Sequence, residues 1–313
     1  MLSSLLVALR VVLPMAMTMG IGSLTRTVGI VKREDMGSID RLIFKVLMPC
    51  LLFKNIYYTE LSSNFYQKEV FFTLISIGLV FVLAVFLPSR LVKDRRQAAS
   101  IGQAVFRCNY VLFGVAVTES IYGEGNAGLT ALLGAIVVPV TNAMSIILLE
   151  MARNQQASPK KLLRSVMSNA MVIAAILALC VKMLKIELPE ILLTVVEDFA
   201  GITTTISFIS LGVSLNMREL HQNRRSMIIG VFLRMILLPA LFLPITVALG
   251  FREKALCAFI ILFASPTAIS TYPMAVAMDA DGPLSGQLVC VTTLLSVITM
   301  FLLVFFFQSL GML

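Results

Sequence analysis

Hydroxyl side chains and two prolines interrupt an apolar run near the end of the chain. The interruption reads Ser265-Pro266-Thr267-Ala268-Ile269-Ser270-Thr271-Tyr272-Pro273, between the apolar residues 256–262 and 274–278. Because proline lacks a backbone donor and clashes with the preceding turn, we expect a helix to break here. Broken backbone within a bilayer is tolerated where it is buried in protein or lines a water-filled cavity, and transporters bind substrates or ions at such breaks. The alternative is an ordinary proline kink packed among neighbouring helices.

A second polar stretch lies in the first half of the chain. Arg107 and Asn109 interrupt another apolar run there, and Gly114 follows them. The amide of Asn109 can donate to a carboxylate without placing a permanent charge in the membrane. An arginine at such a depth is unfavourable unless it reaches water, a headgroup or an acidic partner. Arg107 is therefore either a fixed countercharge for an anionic substrate or one member of an ion pair between helices.

Three hydroxyl side chains of the proline-bracketed stretch have helical spacing. Thr267, Ser270 and Thr271 stand at i, i+3 and i+4, so a helical conformation would place them on one face. That face would line a polar cavity, or its hydroxyls would bond to backbone carbonyls and stabilise a kink. We also expect half-helices to follow Pro273 and Gly114, with unpaired backbone donors that suit an anion.

The composition indicates a protein that lies almost entirely within a membrane. Of the 313 residues, 58% are hydrophobic and 13% are charged, unlike the residues of soluble domains. The mean hydropathy is +0.95. Apolar runs of about 20 residues are long enough to cross a bilayer. We predict ten such spans, at residues 4–24, 38–58, 70–89, 97–122, 128–151, 166–185, 190–214, 226–249, 254–278 and 285–309.

Basic residues are distributed unevenly among the predicted loops. If both termini face outside, fourteen lysines and arginines fall in inner loops and five in outer loops. This asymmetry follows the positive-inside rule and predicts a multi-pass protein of the cell membrane with both termini outside. The net charge of +8 then follows from topology, and it indicates contact with anionic lipid heads and not with nucleic acid.

The side chains that carry enzyme chemistry are scarce and scattered. The five cysteines lie in different spans without paired spacing, and the single histidine, His221, lies in a basic inner loop. We therefore expect no metal site, no cofactor and no catalytic residue, and hence no enzyme activity. The sequence has no glycine-rich phosphate loop after a strand, which argues against direct use of ATP.

The ten predicted spans divide into two groups of five. The first repeat would cover residues 1–152, a short cytoplasmic linker residues 153–165, and the second repeat residues 166–313. An odd number of spans per repeat inverts the second repeat, and inverted repeats form a binding site between them. Span four then corresponds to span nine, and an offset of 159 residues superposes Gly114 on Pro273. The expected fold is all-α, with span four broken between Asn109 and Gly114.

Short motifs along the whole chain resemble those of the auxin efflux carrier family, whose bacterial members are described as malate or other organic-acid permeases. The motifs are Leu47-Met48-Pro49, Arg107-Cys108-Asn109-Tyr110-Val111-Leu112-Phe113-Gly114, Pro139-Val140-Thr141-Asn142, Ser210-Leu211-Gly212-Val213-Ser214-Leu215, Arg234 with Pro239, and Thr292-Thr293-Leu294-Leu295-Ser296. The resemblance implies two inverted five-helix repeats in which the broken spans four and nine cross. It also implies that Asn109 and Asn142 hold a substrate carboxylate, although Asn142 would serve equally well as a packing residue.

Together these features predict a secondary transporter that moves a small organic carboxylate, malate-like or auxin-like, by alternating access around the crossing helices. The alternative is a passive channel or facilitator for small anions, which would not support uphill flux. The predicted substrate-binding residues are Arg107, Asn109, Gly114, Asn142, Pro266, Thr267, Ser270, Thr271 and Pro273.

The driving force and the oligomeric state stay open at this point. Coupling to H⁺ would need a titratable group, and Glu119, Asp198 and Asp279 are the candidates. Coupling to Na⁺ would use unwound carbonyls with nearby hydroxyls, and movement driven by the membrane potential needs neither ion. The resemblance is also compatible with a homodimer.

Overall fold

The computed structural model describes residues 2–58, 66–153, 163–164, 166–216 and 222–313, with residues 2–11 described by their backbone alone. Most of the predicted linker 153–165 and the loop histidine His221 lie outside these ranges. Helices account for nearly all of the described chain, as the composition predicts.

Fourteen α-helices occur in the described residues. They are α1 (Leu2–Thr27), α2 (Met36–Leu42), α3 (Met48–Tyr58), α4 (Gln67–Leu91), α5 (Arg95–Phe106), α6 (Tyr110–Tyr122), α7 (Gly128–Arg153), α8 (Ala170–Met183), α9 (Glu190–Ser214), α10 (Arg224–Phe232), α11 (Leu238–Ala248), α12 (Glu253–Ala264), α13 (Thr271–Ala277) and α14 (Gly282–Ser309). A 3-10 turn, Arg33–Asp35, precedes α2. Two π-helical turns, Ile43–Leu47 and Leu233–Leu237, join α2 to α3 and α10 to α11.

Five helical segments of the described chain are long and apolar enough to cross a membrane. They are α4, α7, α9, the continuous segment Arg224–Ala248 and α14, while α6 and α8 are shorter apolar helices. Their large apolar side chains face outward as well as inward: Phe71 is 68% exposed and Phe86 58%. An exterior of this kind would be unfavourable in water and suits contact with lipid. The helices are those of a multi-pass membrane protein.

Polar residues at helix ends explain several boundaries. Asp94 begins α5, where its Oδ1 accepts a hydrogen bond from the Arg96 N–H at 2.8 Å. Asp281 begins α14 in the same way, accepting from the Leu284 N–H at 2.9 Å. Such acceptors satisfy donors that have no partner within the helix.

The helices pack as two groups. In the first, α1 lies along α9, and α3 packs against both α8 and α9. A β-carbon added to Gly212 of α9 would lie 2.0 Å from the Met19 carbonyl oxygen of α1, so the two backbones touch at this glycine. In the second group, α4 and α7 cover α5, α11 packs on α12, and α14 contacts α5, α12 and α13. The groups meet where α1 contacts α6 and α14, and where α2 contacts α13.

Candidate functional site

Two helices end inside the second group, and the segments that follow them pair with each other. Residues 107–109 separate α5 from α6, and residues 265–270 separate α12 from α13. Cys108 and Thr267 form an antiparallel β-bridge between the two segments. The backbone hydrogen bonds run from the Asn109 N–H to the Pro266 carbonyl at 2.8 Å and from the Ala268 N–H to the Arg107 carbonyl at 3.1 Å. We call these two paired segments the crossover.

Pro266 and Thr267 explain why the chain leaves the helix at this point. Pro266 has no N–H to continue α12, and its carbonyl is free to accept from the other segment. The Thr267 hydroxyl donates to the Ala104 carbonyl at 3.0 Å, and the Thr267 N–H donates to the Thr292 hydroxyl at 3.1 Å. Thr267 therefore fixes the crossover to α5 and α14.

Arg234 joins the ends of the two interrupted helices. Its guanidinium donates four hydrogen bonds to three backbone carbonyls, those of Val105 in α5 and of Leu262 and Ser265 at the end of α12. The C-terminal end of a helix carries unpaired carbonyls and a partial negative charge. Arg234, which is 1% exposed, thus neutralises both helix ends inside the protein.

Arg107 is a second buried cation at the crossover, and its partners are neutral. It is 4% exposed, and it donates to Asn142 Oδ1 at 2.5 Å. Its other hydrogen bonds go to the Ser270 hydroxyl and the Met274 sulfur. Within the described part of the chain, Arg107 forms no salt bridge with a carboxylate, so the interhelical ion pair considered from the sequence is not found there.

The side-chain amide of Asn109 is a hydrogen-bond donor without a partner at the crossover. Its side chain is 7% exposed, and among the described residues its Nδ2 has no hydrogen-bond partner. Side chains two residues apart in an extended segment point to the same side, so Asn109 and Arg107 face one side of the crossover. A buried donor without a partner is unfavourable unless a ligand or water satisfies it.

Gly114 and Pro273 lie inside helices and not at their starts. The prediction that half-helices begin after these two residues is wrong, because the helices begin earlier, at Tyr110 and Thr271. Gly114 is inside α6, where a β-carbon would lie 2.8 Å from Thr130 Cγ2, so it permits close packing on α7. Pro273 occupies the first turn of α13, where a helix needs no N–H donor from its residues.

A large cavity approaches the crossover from one end of α9. Its volume is about 650 Å³, and α3, α6, α7 and α9 line it. Lys54 and Glu197 contribute charged groups to its wall, and Gly114, Tyr110 and Pro139 also line it. Tyr110 follows Asn109 directly and Pro139 lies one turn before Asn142, so the cavity reaches the neighbourhood of the predicted binding residues.

A small cavity lies at the opposite end of α9. Its volume is about 180 Å³, and its walls come from α2, α9, α13 and α14. Asp40, Tyr272 and Gln287 provide polar groups to it. Sequence reasoning did not single out Asp40, since one acidic residue near the start of a predicted span gives no distinctive pattern.

Membrane transporters are commonly built in this way: interrupted helices meet inside the helical protein, and cavities lead toward the interruption. A family profile described as "Membrane transport protein" matches residues 7–304. The chain therefore belongs to this family, that of the auxin efflux carrier-type membrane transport proteins, and the resemblance found in its motifs is confirmed. No curated protein sequence matches the chain.

Proposed function

We propose that this membrane transporter is a secondary carrier that moves a small organic carboxylate, malate-like or auxin-like, by alternating access around the crossover. The observation that carries the proposal is Arg107, a buried cation whose hydrogen-bond partners are all neutral. A charge inside the membrane is strongly unfavourable unless an opposite charge or water accompanies it. A substrate carboxylate supplies that charge.

The groups around Arg107 suit a carboxylate in particular. A guanidinium presents parallel N–H donors that match the two oxygens of a carboxylate. The unpartnered Nδ2 of Asn109 adds a neutral donor on the same side of the segment. Asn142 Oδ1 and the Ser270 hydroxyl oxygen accept from the guanidinium, so in this proposal both residues orient Arg107 and turn their own donors, the Asn142 amide and the Ser270 O–H, to the substrate. Thr271 offers a further unpartnered hydroxyl nearby.

The two cavities support alternating access. The large cavity lies between α6 and α7 of the second helix group and α3 and α9 of the first. The small cavity lies between α13 and α14 of the second group and α2 and α9 of the first. A rigid movement of one group along the other would enlarge one cavity while it closes the other, and the substrate at the crossover would face each side in turn.

The pairing at the crossover supports two inverted repeats, residues 1–152 and 166–313. The bridged residues, Cys108 and Thr267, are 159 positions apart, the same offset that superposes spans four and nine. Equivalent residues pair in an antiparallel bridge when a two-fold axis passes between them. The distribution of basic residues supports an orientation in which both termini lie outside the cell membrane.

Uptake by the purified protein in liposomes tests this function. Malate, malonate, lactate and indole-3-acetate would be offered separately, and we expect saturable accumulation of one of them above its outside concentration. Asn109→Ala should abolish this uptake, whereas Asn126→Ala, in the loop between α6 and α7, should retain it. Uptake that only reaches equilibrium would identify a facilitator, and uptake that survives in Asn109→Ala would remove the crossover from the binding site.

A further inference from the structure

The small cavity holds two buried oxygen atoms that accept no hydrogen bond. These are Asp40 Oδ2 and Gln287 Oε1, and among the described residues neither has a partner. Both side chains are 1% exposed, and both line the cavity of about 180 Å³. An acceptor that has left water without finding a donor is unfavourable, and the penalty is larger for a charged carboxylate than for a neutral amide.

The immediate neighbours of Asp40 leave one carboxylate oxygen unused. Ser210 donates to Asp40 Oδ1 at 2.6 Å. The hydroxyl of Tyr272 also lines the cavity and interacts with the Asp40 carboxylate, while it donates to Ser214 Oγ at 2.6 Å. The Asp40 side chain thus borders a space of the size of a few water molecules, and water there can carry a proton to the carboxylate.

The described groups that face Asp40 in the small cavity include one other charged side chain, that of Arg33. Arg33 of the 3-10 turn and Tyr272 of α13 are the remaining titratable side chains on the cavity wall in the described chain. From α9 the facing groups are the hydroxyls of Ser210 and Ser214, and from α14 the amide of Gln287. A change in the charge of Asp40 is therefore not masked by a second carboxylate.

We propose that Asp40 binds and releases a proton during the transport cycle, and that its protonation favours the binding of the carboxylate at the crossover. This inference rests on the proposed function, and it identifies the proton as the ion that drives transport. A proton taken up from one side of the membrane binds Asp40 Oδ2, and it leaves to water on the other side after the substrate has moved. No bond other than O–H forms or breaks in this step.

Helix α13 connects Asp40 to the predicted substrate site. Its residue Tyr272 lies on the wall of the small cavity beside Asp40, while Ser270 and Met274 accept hydrogen bonds from Arg107. Two negative charges on either side of one short helix repel each other across a medium of low dielectric constant. An anionic substrate is therefore bound more readily once Asp40 is neutral, and a singly charged acid would enter together with one proton.

An infrared titration tests proton binding without any substrate. The full-length protein in liposomes would be titrated with acid, and the carbonyl band of a buried carboxylic acid recorded. We expect a band in the wild type and in Glu190→Gln, a matched removal of an exposed carboxylate at the start of α9. Glu150 of α7 is also buried, so the test is the difference between spectra: one band of the wild type should be missing in Asp40→Asn and return at a shifted frequency in Asp40→Glu. Identical bands in the wild type and in Asp40→Asn would overturn the inference.

Uptake at different pH values tests the link to transport, with malate and indole-3-acetate as separate probes. Wild-type uptake should fall by up to about tenfold per pH unit as the pH rises, the dependence of a single proton. Glu190→Gln should behave like the wild type, while in Asp40→Asn the dependence on pH should be lost. Unchanged pH dependence in Asp40→Asn, or stimulation by a sodium gradient in place of a proton gradient, would overturn the coupling role. If the wild type transports neither acid, the proposed function fails for these acids, and the infrared titration still decides whether Asp40 binds a proton.

Discussion

The two buried arginines at the crossover should differ in what is lost when each is replaced by methionine: transport for one, stability for the other. Arg107 and Arg234 are both almost inaccessible, and Arg→Met keeps much of the side-chain length while it removes every donor. If Arg107 serves the substrate and Arg234 serves the fold, Arg107→Met should lose transport but stay folded. Arg234→Met should mainly lower the stability of the fold.

The magnitude for Arg234 follows from its hydrogen bonds. Four bonds to the carbonyls of Val105, Leu262 and Ser265 disappear in Arg234→Met. Each buried carbonyl left without a donor is unfavourable by about 1–3 kcal/mol. The partial negative charges of the two helix ends compensate the guanidinium, so its removal brings little gain. After partial relaxation of the helix ends we expect a loss of about 3–5 kcal/mol, similar to that for breaking a buried charged pair.

For Arg107 two effects of similar size oppose each other. Its removal leaves the acceptors on Asn142 and Ser270 without a donor, and each is unfavourable by about 1–3 kcal/mol. It also removes a charge that is unfavourable by about 2.5–3.5 kcal/mol at the centre of a membrane helix. The midpoints of these ranges give a net loss of about 1 kcal/mol in the free energy of unfolding, well below that for Arg234→Met.

The assay measures thermal unfolding of the purified proteins in one detergent, together with uptake in liposomes at equal protein content. Arg107→Met should unfold near the wild-type temperature and show no saturable uptake. Arg234→Met should unfold at a clearly lower temperature. If Arg107→Met unfolds as early as Arg234→Met, Arg107 is a structural residue and the argument for an anionic substrate loses its main support.

Further substitutions test other parts of the structure. Asn109→Ala should abolish saturable uptake with little change in unfolding temperature, because the amide it removes has no partner among the described residues. Gly212→Ala should lower the unfolding temperature, since the backbones of α1 and α9 must separate at an energy of about 1–3 kcal/mol, whereas Gly201→Ala in the same helix meets no atom within 4 Å and should not. Pro266→Ala should reduce uptake more than Pro273→Ala at equal expression, because an N–H at position 266 favours continuation of α12, while position 273 lies in the first turn of α13.

Helix positions could be predicted closely from the sequence because apolar runs determine them. The predicted spans 128–151 and 190–214 correspond to α7 and α9, and 285–309 to α14, with ends within three residues. The break in span nine was also predictable, since Pro266 lacks the N–H that would continue α12 and stands in a stretch rich in hydroxyl residues, whereas Pro139 lies in an apolar stretch and is accommodated inside α7. These features depend on local chemistry, which a single sequence displays directly.

The break in span four was misplaced because its cause is not local. The helix ends at Phe106, three residues before the predicted start of the break at Asn109. The chain is extended there because Arg107 and Asn109 pair with the backbone around Pro266, more than 150 residues away. Gly114 looked like a helix breaker, but it serves a packing contact that only the folded neighbour α7 explains.

The polar residues near the crossover could be selected from the sequence, but their partners could not. Arg107 stood out as a charge inside an apolar run, yet the sequence left open whether its partner was a substrate or a carboxylate. Asp40 shows the opposite case: its importance comes from Ser210 and Tyr272, which three-dimensional packing brings beside it. Relations between distant residues of this kind need a structure.

The crossover also has a consequence for how the protein is made. The carbonyls of Val105 and Ala104 find their donors 129 and 163 residues later in the chain. During synthesis the first half therefore enters the membrane with an interrupted helix, open carbonyls and an Arg107 that has met only Asn142 of α7, an arrangement that lipid does not tolerate. We expect the insertion machinery to hold the nascent chain until Arg234 and Thr267 have emerged from the ribosome, and we expect a chain that stops after α7 to be unstable in the bilayer.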